Sequence, residues 1–277
     1  MARFRSKILV CSTSPANPIL RTDILFDAAH VESDRSAVDQ YLNRLSSINI
    51  LTPNPSEFDP LQAQLVLLGV VAAVESFFRT LLRRLITIDQ ECQKCAEDQA
   101  VTYGAAIHLS KEMMPEALLE RFTFVSKKSL EDALRKVVGV KENFPPDLVA
   151  TFEDYAAVCQ LRHCAVHRFG KLGVNNAIIL GLTSHKSSLE KPLVFTYSEL
   201  QNAIAISTSV VKTTNNFLFN EVLSRLPAAT WSSKWGKDKR VFLQYYQLFA
   251  ETSSTAGIAP ARDAYVLFQQ EFSRHST

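Results

Sequence analysis

The sequence predicts an all-α fold, an up-down helical bundle with a short N-terminal extension and a small C-terminal helical tail. Glycine is scarce, with 8 residues among 277, which disfavours an all-β fold with many tight turns. Long stretches are rich in Leu, Ala, Glu, Gln, Lys and Arg, which favour helices. Two long segments repeat apolar residues at three- and four-residue intervals, and a third long helix follows a loop. Such a series of long helices is typical of a bundle.

The first 58 residues read as an irregular extension. Residues 7–11 could form a short strand, and residues 35–47 a short helix. Two prolines in residues 52–56 break any helix and mark a domain boundary. We therefore predict an extension at 1–58, a helical domain at 59–226 and a helical tail at 227–277.

The first long helix is predicted to begin near Asp59 and Pro60, with the acid at the cap and the proline in the first turn. Apolar residues follow helical spacing along this helix: Val66, Val70, Ala73, Phe77, Leu81, Leu85 and Ile88. Residues 101–141 are then predicted to form one or two shorter helices.

The second long helix runs from Asp147 to a C-cap near Gly170. Residues 174–182 and 193–197 could then form a β-ribbon or an extended loop. Ser198 and Gln201 resemble a capping box for the third long helix, which ends near Leu226. The tail adds short helices at 241–249 and 261–272.

The net charge of +2 is uninformative, but its distribution is not. Residues 155–198 contain five basic side chains and one acid, Glu190, which suits a polyanionic partner such as RNA, although a solvated basic loop would look the same. Five cysteines, an odd number, without a visible secretory signal favour a reducing cytoplasm. The apolar run at 65–74 is too short to span a membrane, so no membrane association is expected. The basic residues are Arg162, Arg168, Lys171, Lys186 and Lys191.

The hexamer at 162–167, Arg-His-Cys-Ala-Val-His, has the residue types that cleave RNA without a metal. A guanidinium such as Arg162 can stabilise a phosphate, and a histidine such as His167 can transfer protons near neutral pH. At ~100° per residue, Arg162 and His167 diverge by roughly 140° around the helix, whereas His163 and His167 share a face. We therefore expect two copies of the helix to complete one site across a two-fold axis.

Arg-His-x-x-x-His near the end of a helix, followed after a loop by another long helix, resembles the signature of the HEPN superfamily of ribonucleases. The resemblance covers approximately residues 59–226 by helix order. It implies a homodimer with a composite active site and metal-independent endoribonuclease activity that leaves a cyclic phosphate. It assigns Arg162 and His167 to catalysis and His163 to a supporting role. One subgroup carries a tyrosine, to which a partner enzyme attaches nucleotides, where this chain has Phe169.

Three further residues are predicted to support the site: Glu75, Arg79 and Arg168. Glu75 could orient a side chain of the motif, and Arg79, one turn further on, could contact RNA. The alternative for Glu75 and Arg79 is a simple ion pair on the surface of one helix.

Three other kinds of site can be drawn from the sequence. A structural zinc could use Cys159, His163 and His167 with the Cys92-x-x-Cys95 pair, although Cys159 is more simply read as a small apolar core residue. Cys164 beside a histidine could be a nucleophile, or it could face the core. The tail could stack single-stranded nucleic acid, or its aromatic rings could be core anchors; the residues concerned are Trp231, Trp235, Tyr245 and Tyr246, with Lys234, Lys237, Lys239 and Arg240.

The function predicted from the sequence is therefore an RNA endonuclease without a metal or cofactor, acting as a homodimer in the cytoplasm. Many members of the resembled family are toxins or anti-phage effectors, so an antitoxin or regulatory partner is expected. The alternative is a non-catalytic helical module that binds RNA, a nucleotide or a protein.

Overall fold

The structure, a computed structural model, describes residues 10–12, 19–253 and 260–275. Within them it contains eleven α-helices and no strand, which confirms the all-α class. The helices are α1 (Ala37–Asn49), α2 (Pro60–Ile88), α3 (Gln90–Glu97), α4 (Tyr103–His108), α5 (Met114–Leu119), α6 (Lys127–Ala133), α7 (Pro146–Arg168), α8 (Val174–His185), α9 (Tyr197–Ser224), α10 (Trp235–Phe249) and α11 (Ala261–His275). A π-helical turn, Leu134–Val138, continues α6.

The chain divides into two compact units, residues 1–34 and 35–277. In the first unit the structure describes one 3-10 turn, Thr22–Ile24. Of the predicted strand at 7–11, residues 7–9 lie outside the described part of the chain, and residues 10 and 11 form no strand.

The core of the larger unit forms where α2, α7 and α9 pack against one another. Phe77 and Phe78 of α2, Phe152 of α7 and Leu218 of α9 are completely buried there. Burial of one such side chain stabilises the fold by roughly 1.5–3 kcal/mol, so this three-helix contact provides much of the driving force for folding.

The start of α2 is the one predicted from the sequence. The Asp59 carboxylate accepts a hydrogen bond from the backbone N–H of Leu61 at 2.8 Å, and Pro60 occupies the first turn. Among the described helices, α2 alone is long and apolar enough to cross a membrane, but 61% of its apolar window is buried inside the protein. A buried central helix has the same composition as a membrane span.

The predicted N-terminal extension contains a helix that belongs to the core. Val38 and Tyr41 of α1 are buried, and α1 packs along α2. The Tyr41 hydroxyl also lies 3.0 Å from the Thr208 hydroxyl of α9. The compact unit accordingly begins at Arg35 and not at Asp59.

The β-ribbon predicted as one reading of residues 174–182 and 193–197 is wrong, whereas residues 193–196 do form the extended loop of the other reading. Residues Val174–His185 form helix α8, with a kink at Gly181, whose φ is 100°. The buried Asn176 side chain of α8 donates to the Gln160 side chain of α7 at 2.9 Å and fixes the two helices together. The only extended pairing in this part of the described chain is an isolated antiparallel bridge between Lys171 and Pro192.

The third long helix, α9, begins two residues earlier than predicted. Its capping box uses Thr196 and Glu199, which bond reciprocally, with the Glu199 carboxylate 2.9 Å from the Thr196 backbone nitrogen. Ser198 and Gln201 therefore lie inside the helix.

Candidate active site

The candidate site lies on the last two turns of α7. The helix ends at Arg168, and Phe169 and Gly170 both take left-handed backbone angles, with φ of 51° and 84°. The Gly170 N–H donates to the Cys164 carbonyl at 3.0 Å, which closes the helix end in the manner of a Schellman motif. The predicted helix end near Gly170 is confirmed.

Two histidines of the motif meet on the exposed side of α7. The ring centroids of His163 and His167 are 4.5 Å apart, with an angle of 48° between the ring planes. Both side chains are exposed, and Arg162 is half-buried. The sharing of one face by His163 and His167, expected from the four-residue spacing, is therefore present in the structure.

The electrostatics of this pair favour a neutral His163. Partial burial, the neighbouring His167 and the positive charge of Arg162 together lower the pKa of His163 below its usual value. A neutral imidazole can accept a proton or a hydrogen bond, which an imidazolium cannot. Near pH 7, His163 is thus suited to accept a proton or to hold a polar group beside His167.

Glu75 of α2 is half-buried. Burial raises the pKa of the Cys159 thiol to about 12; the charge of Glu75 adds to this rise and that of Arg162 opposes it. Glu75 of α2 and Arg162 of α7 thus lie within electrostatic range of the same buried side chain. The role predicted for Glu75, orientation of a side chain of the motif, stays a prediction.

Arg79 occupies a different position from the one expected. Its guanidinium donates to the backbone carbonyls of Leu119 at 2.9 Å and Phe122 at 3.1 Å, and it pairs with Glu116 at 3.8 Å. It also lies over the Phe124 ring, 5.8 Å from the centroid. Arg79 therefore ties α5 and the segment after it to α2, and its ionic partner is Glu116 rather than Glu75.

Arg168, the last residue of α7, begins the first of two paired segments, residues 168–173 and 189–194, which we call the clasp. Its guanidinium bonds both carboxylate oxygens of Glu190, at 2.6 and 2.8 Å. Backbone bonds between Leu172 and Lys191 and from Leu193 to Gly170 run beside this ion pair. The clasp joins the segment that precedes α8 to the segment that follows it. The sequence predicted Arg168 as a positively charged supporting residue of the site, but it did not predict Glu190 as the partner of Arg168.

The other sites drawn from the sequence are not assembled in the structure. In the described residues no group of three or more His, Cys, Asp or Glu is placed to hold a metal ion. Cys159 is buried while His163 is exposed. The Cys164 thiol is also buried, and burial raises its pKa, which is the opposite of an activated nucleophile.

Cys92 lies in a buried polar cluster that the sequence did not predict, whereas Cys95 is only partly buried. Asp89 is almost wholly buried and forms an ion pair with Arg225 from the end of α9. The same guanidinium lies 3.3 Å from the Cys92 sulfur, and Tyr245 donates to Asp89 at 3.2 Å. Burial raises the pKa of Cys92 to about 12, so this thiol stays protonated.

The aromatic residues of the tail are core anchors. Trp231 packs edge-on against Phe268 of α11, with ring centroids 4.8 Å apart, and Trp235 packs against Tyr265 at 5.2 Å. Trp231 and Tyr265 are buried, which leaves their faces unavailable to a base. The tail therefore folds onto the bundle.

The structure thus has Arg162, His163 and His167 at one helix end, with the Arg168–Glu190 pair beside them. A permanent cation beside two exposed imidazoles can neutralise a phosphate and move protons. No family model, curated protein or solved structure matches this chain.

Proposed function

We propose that this protein is a metal-independent RNA endonuclease of the HEPN type, whose site is completed by a second copy of the chain. The observation that carries the proposal is the exposed His163–His167 ring pair, which stands beside Arg162 at the end of α7. The resemblance of the hexamer extends the proposal to a toxin or defence role in the cytoplasm, under the control of an antitoxin or regulatory partner.

The chemistry needs three groups. The 2′-hydroxyl of the ribose loses its proton and its oxygen bonds to phosphorus, while the bond from phosphorus to the 5′-oxygen breaks and that oxygen is protonated. His167 transfers protons, and the lowered pKa of His163 leaves it neutral and able to accept one. Arg162 stabilises the charge on the phosphorane. The products are a 2′,3′-cyclic phosphate and a 5′-hydroxyl.

An exposed apolar surface on α8 supports the second copy. Val174 and Ile178 lie one helical turn apart and are 50% and 56% exposed, and Leu182, which follows the kink at Gly181, is 41% exposed. Ile179 beside them is 64% exposed. Contiguous exposed apolar side chains mark interaction surfaces, and α8 packs directly on the helix that carries the motif. A dimer formed here would cover this surface and set the two motif helices near each other.

The test is cleavage of a labelled single-stranded RNA by the purified protein in the presence of EDTA. We expect cleavage with a cyclic phosphate product, and a loss of about 100-fold or more in Arg162→Ala and His167→Ala. His108→Ala is the matched control, because His108 is an exposed histidine on α4. It should cleave at the rate of the unchanged protein.

Full activity in both Arg162→Ala and His167→Ala would overturn the assignment. Saturable RNA binding without turnover would support the alternative, a non-catalytic binding module. Mixing the two inactive variants adds a test of the shared site, because a composite site can regain one intact centre in a mixed dimer.

A further inference from the structure

Phe169 has an unusual combination of backbone and exposure. Its φ is 51°, in the left-handed region, and its side chain is 79% exposed. A bulky residue rarely adopts this conformation, and helix ends of this kind normally carry glycine or asparagine. The ring contributes little to the core, so its packing against the described residues does not compensate for the strained backbone.

The residues on either side hold Phe169 in this conformation. Before it, Arg168 is bound through both carboxylate oxygens of Glu190, which itself has a positive φ of 60°. After it, the carbonyl of Gly170 accepts a 2.8 Å hydrogen bond from Leu193. Strain that the surrounding structure imposes in this way is found at functional sites. The clasp therefore fixes an aromatic ring in solvent at the end of the motif helix.

The surroundings of the ring suit a nucleic acid. Phe169 follows His167 by two residues, and Lys171 and Lys191 of the clasp are both exposed. The one acid of this segment, Glu190, is neutralised by Arg168. An exposed aromatic face among cations is how proteins bind single-stranded RNA, by stacking on a base while the cations contact the backbone.

We infer that Phe169 is a stacking platform for an unpaired RNA base next to the phosphate held at Arg162 and His167. This inference rests on the proposed function and names its substrate class as single-stranded RNA. One stacked base is worth about a 10-fold to 100-fold change in the dissociation constant.

The experiment compares Phe169→Gly with Phe169→Trp. Both are made in the His167→Ala background and titrated with single-stranded RNA oligonucleotides that carry 2-aminopurine, whose fluorescence falls when it stacks. We expect Phe169→Gly to bind about 10-fold or more weakly and to lose the quenching, while Phe169→Trp keeps both. Glycine also relieves the positive φ, so the melting temperature of Phe169→Gly should rise. Weaker binding by a more stable protein is the signature of a ring kept for its ligand.

Unchanged affinity in Phe169→Gly, or no binding of any of these RNAs by the His167→Ala parent, would overturn the inference. A fall in the melting temperature of Phe169→Gly would also overturn it, because the ring would then be a packing residue. So would a loss of dimer with unchanged RNA affinity per dimer, which would assign the ring to the contact with the second copy. Cleavage assays separate the two proposals. If the unchanged protein cleaves RNA and Phe169→Gly has the same KM, the stacking fails and the nuclease stands. If the unchanged protein does not cleave RNA but Phe169→Gly binds RNA more weakly than its parent does, the nuclease proposal fails and the stacking proposal stands.

Discussion

Replacing Arg225 by methionine should destabilise the protein strongly, because Arg225 neutralises a buried carboxylate. Its side chain is 16% exposed and that of Asp89 is 2% exposed. The guanidinium also donates to the carbonyl of Val138 at 2.5 Å, so it joins the end of α9 to the π-helical turn as well as to the start of α3. Methionine keeps the length and apolar stem of the side chain but removes the charge and every donor.

The magnitude follows from what is left behind. In Arg225→Met, Asp89 keeps the Tyr245 hydroxyl and the Cys92 backbone N–H, but has no cation. Removing one partner of a buried ion pair costs about 3–5 kcal/mol. For a chain of this size each kcal/mol lowers the melting temperature by roughly 2–4 °C, which gives a fall of about 6–20 °C. Such a loss is a large fraction of a typical total stability of about 5–15 kcal/mol.

The assay is urea unfolding followed by circular dichroism, applied to Arg225→Met, Asp89→Asn and the double variant. Because Asp89→Asn removes the buried negative charge itself, the double variant should be more stable than the sum of the two losses predicts, by at least about 1 kcal/mol. A loss below about 1 kcal/mol in Arg225→Met, or strictly additive losses, would refute the reasoning. The buried ion pair would then contribute little net stability.

Two further predictions concern other polar contacts. Arg79→Met should lower the free energy of unfolding by about 2–4 kcal/mol, because two carbonyls lose a charged donor. The RNA affinity of this variant per folded molecule should be unchanged in a binding titration. A selective loss of affinity would show instead that Arg79 contacts RNA. Asp238 is buried, which raises its pKa, but hydrogen bonds from Ser232 and Tyr265 outweigh this and lower the pKa below its usual 3.8. Its ionised form therefore stabilises the fold above pH ~3.8, so the stability gap between the unchanged protein and Asp238→Asn should shrink as pH falls below that value; a gap that is constant from pH 7 to pH 3 would contradict this.

Local signals in the sequence were enough for the long helices. Asp59 with Pro60 marks the start of α2, and the apolar spacing along α2 and α7 matches the buried faces of both helices. The shared face of His163 and His167 also follows directly from their spacing. These features depend on residues within one or two helical turns of each other, so the local sequence is enough to predict them.

Contacts between distant segments escaped the sequence. Ile178 and Ile179 are β-branched and read as a strand, yet tertiary packing and the Asn176–Gln160 bond make that segment helical. The partner of Arg79 lies 37 positions away at Glu116, and no pattern within α2 predicts this ion pair. The left-handed φ of Phe169 was equally hidden, because an aromatic residue is not expected at such a turn.

The clasp has a consequence for the order in which the protein opens. Helix α8 packs mainly on α7, and its two ends are joined at the base by the Arg168–Glu190 pair and by the bridge between Lys171 and Pro192. Residues 174–188, which lie between the two segments of the clasp, can therefore unfold and refold as one cooperative unit while the clasp, α2, α7 and α9 stay intact. Because its ends stay together, refolding this unit carries little additional loop-closure entropy. Hydrogen exchange in α8 then reports the free energy of this local opening rather than that of global unfolding.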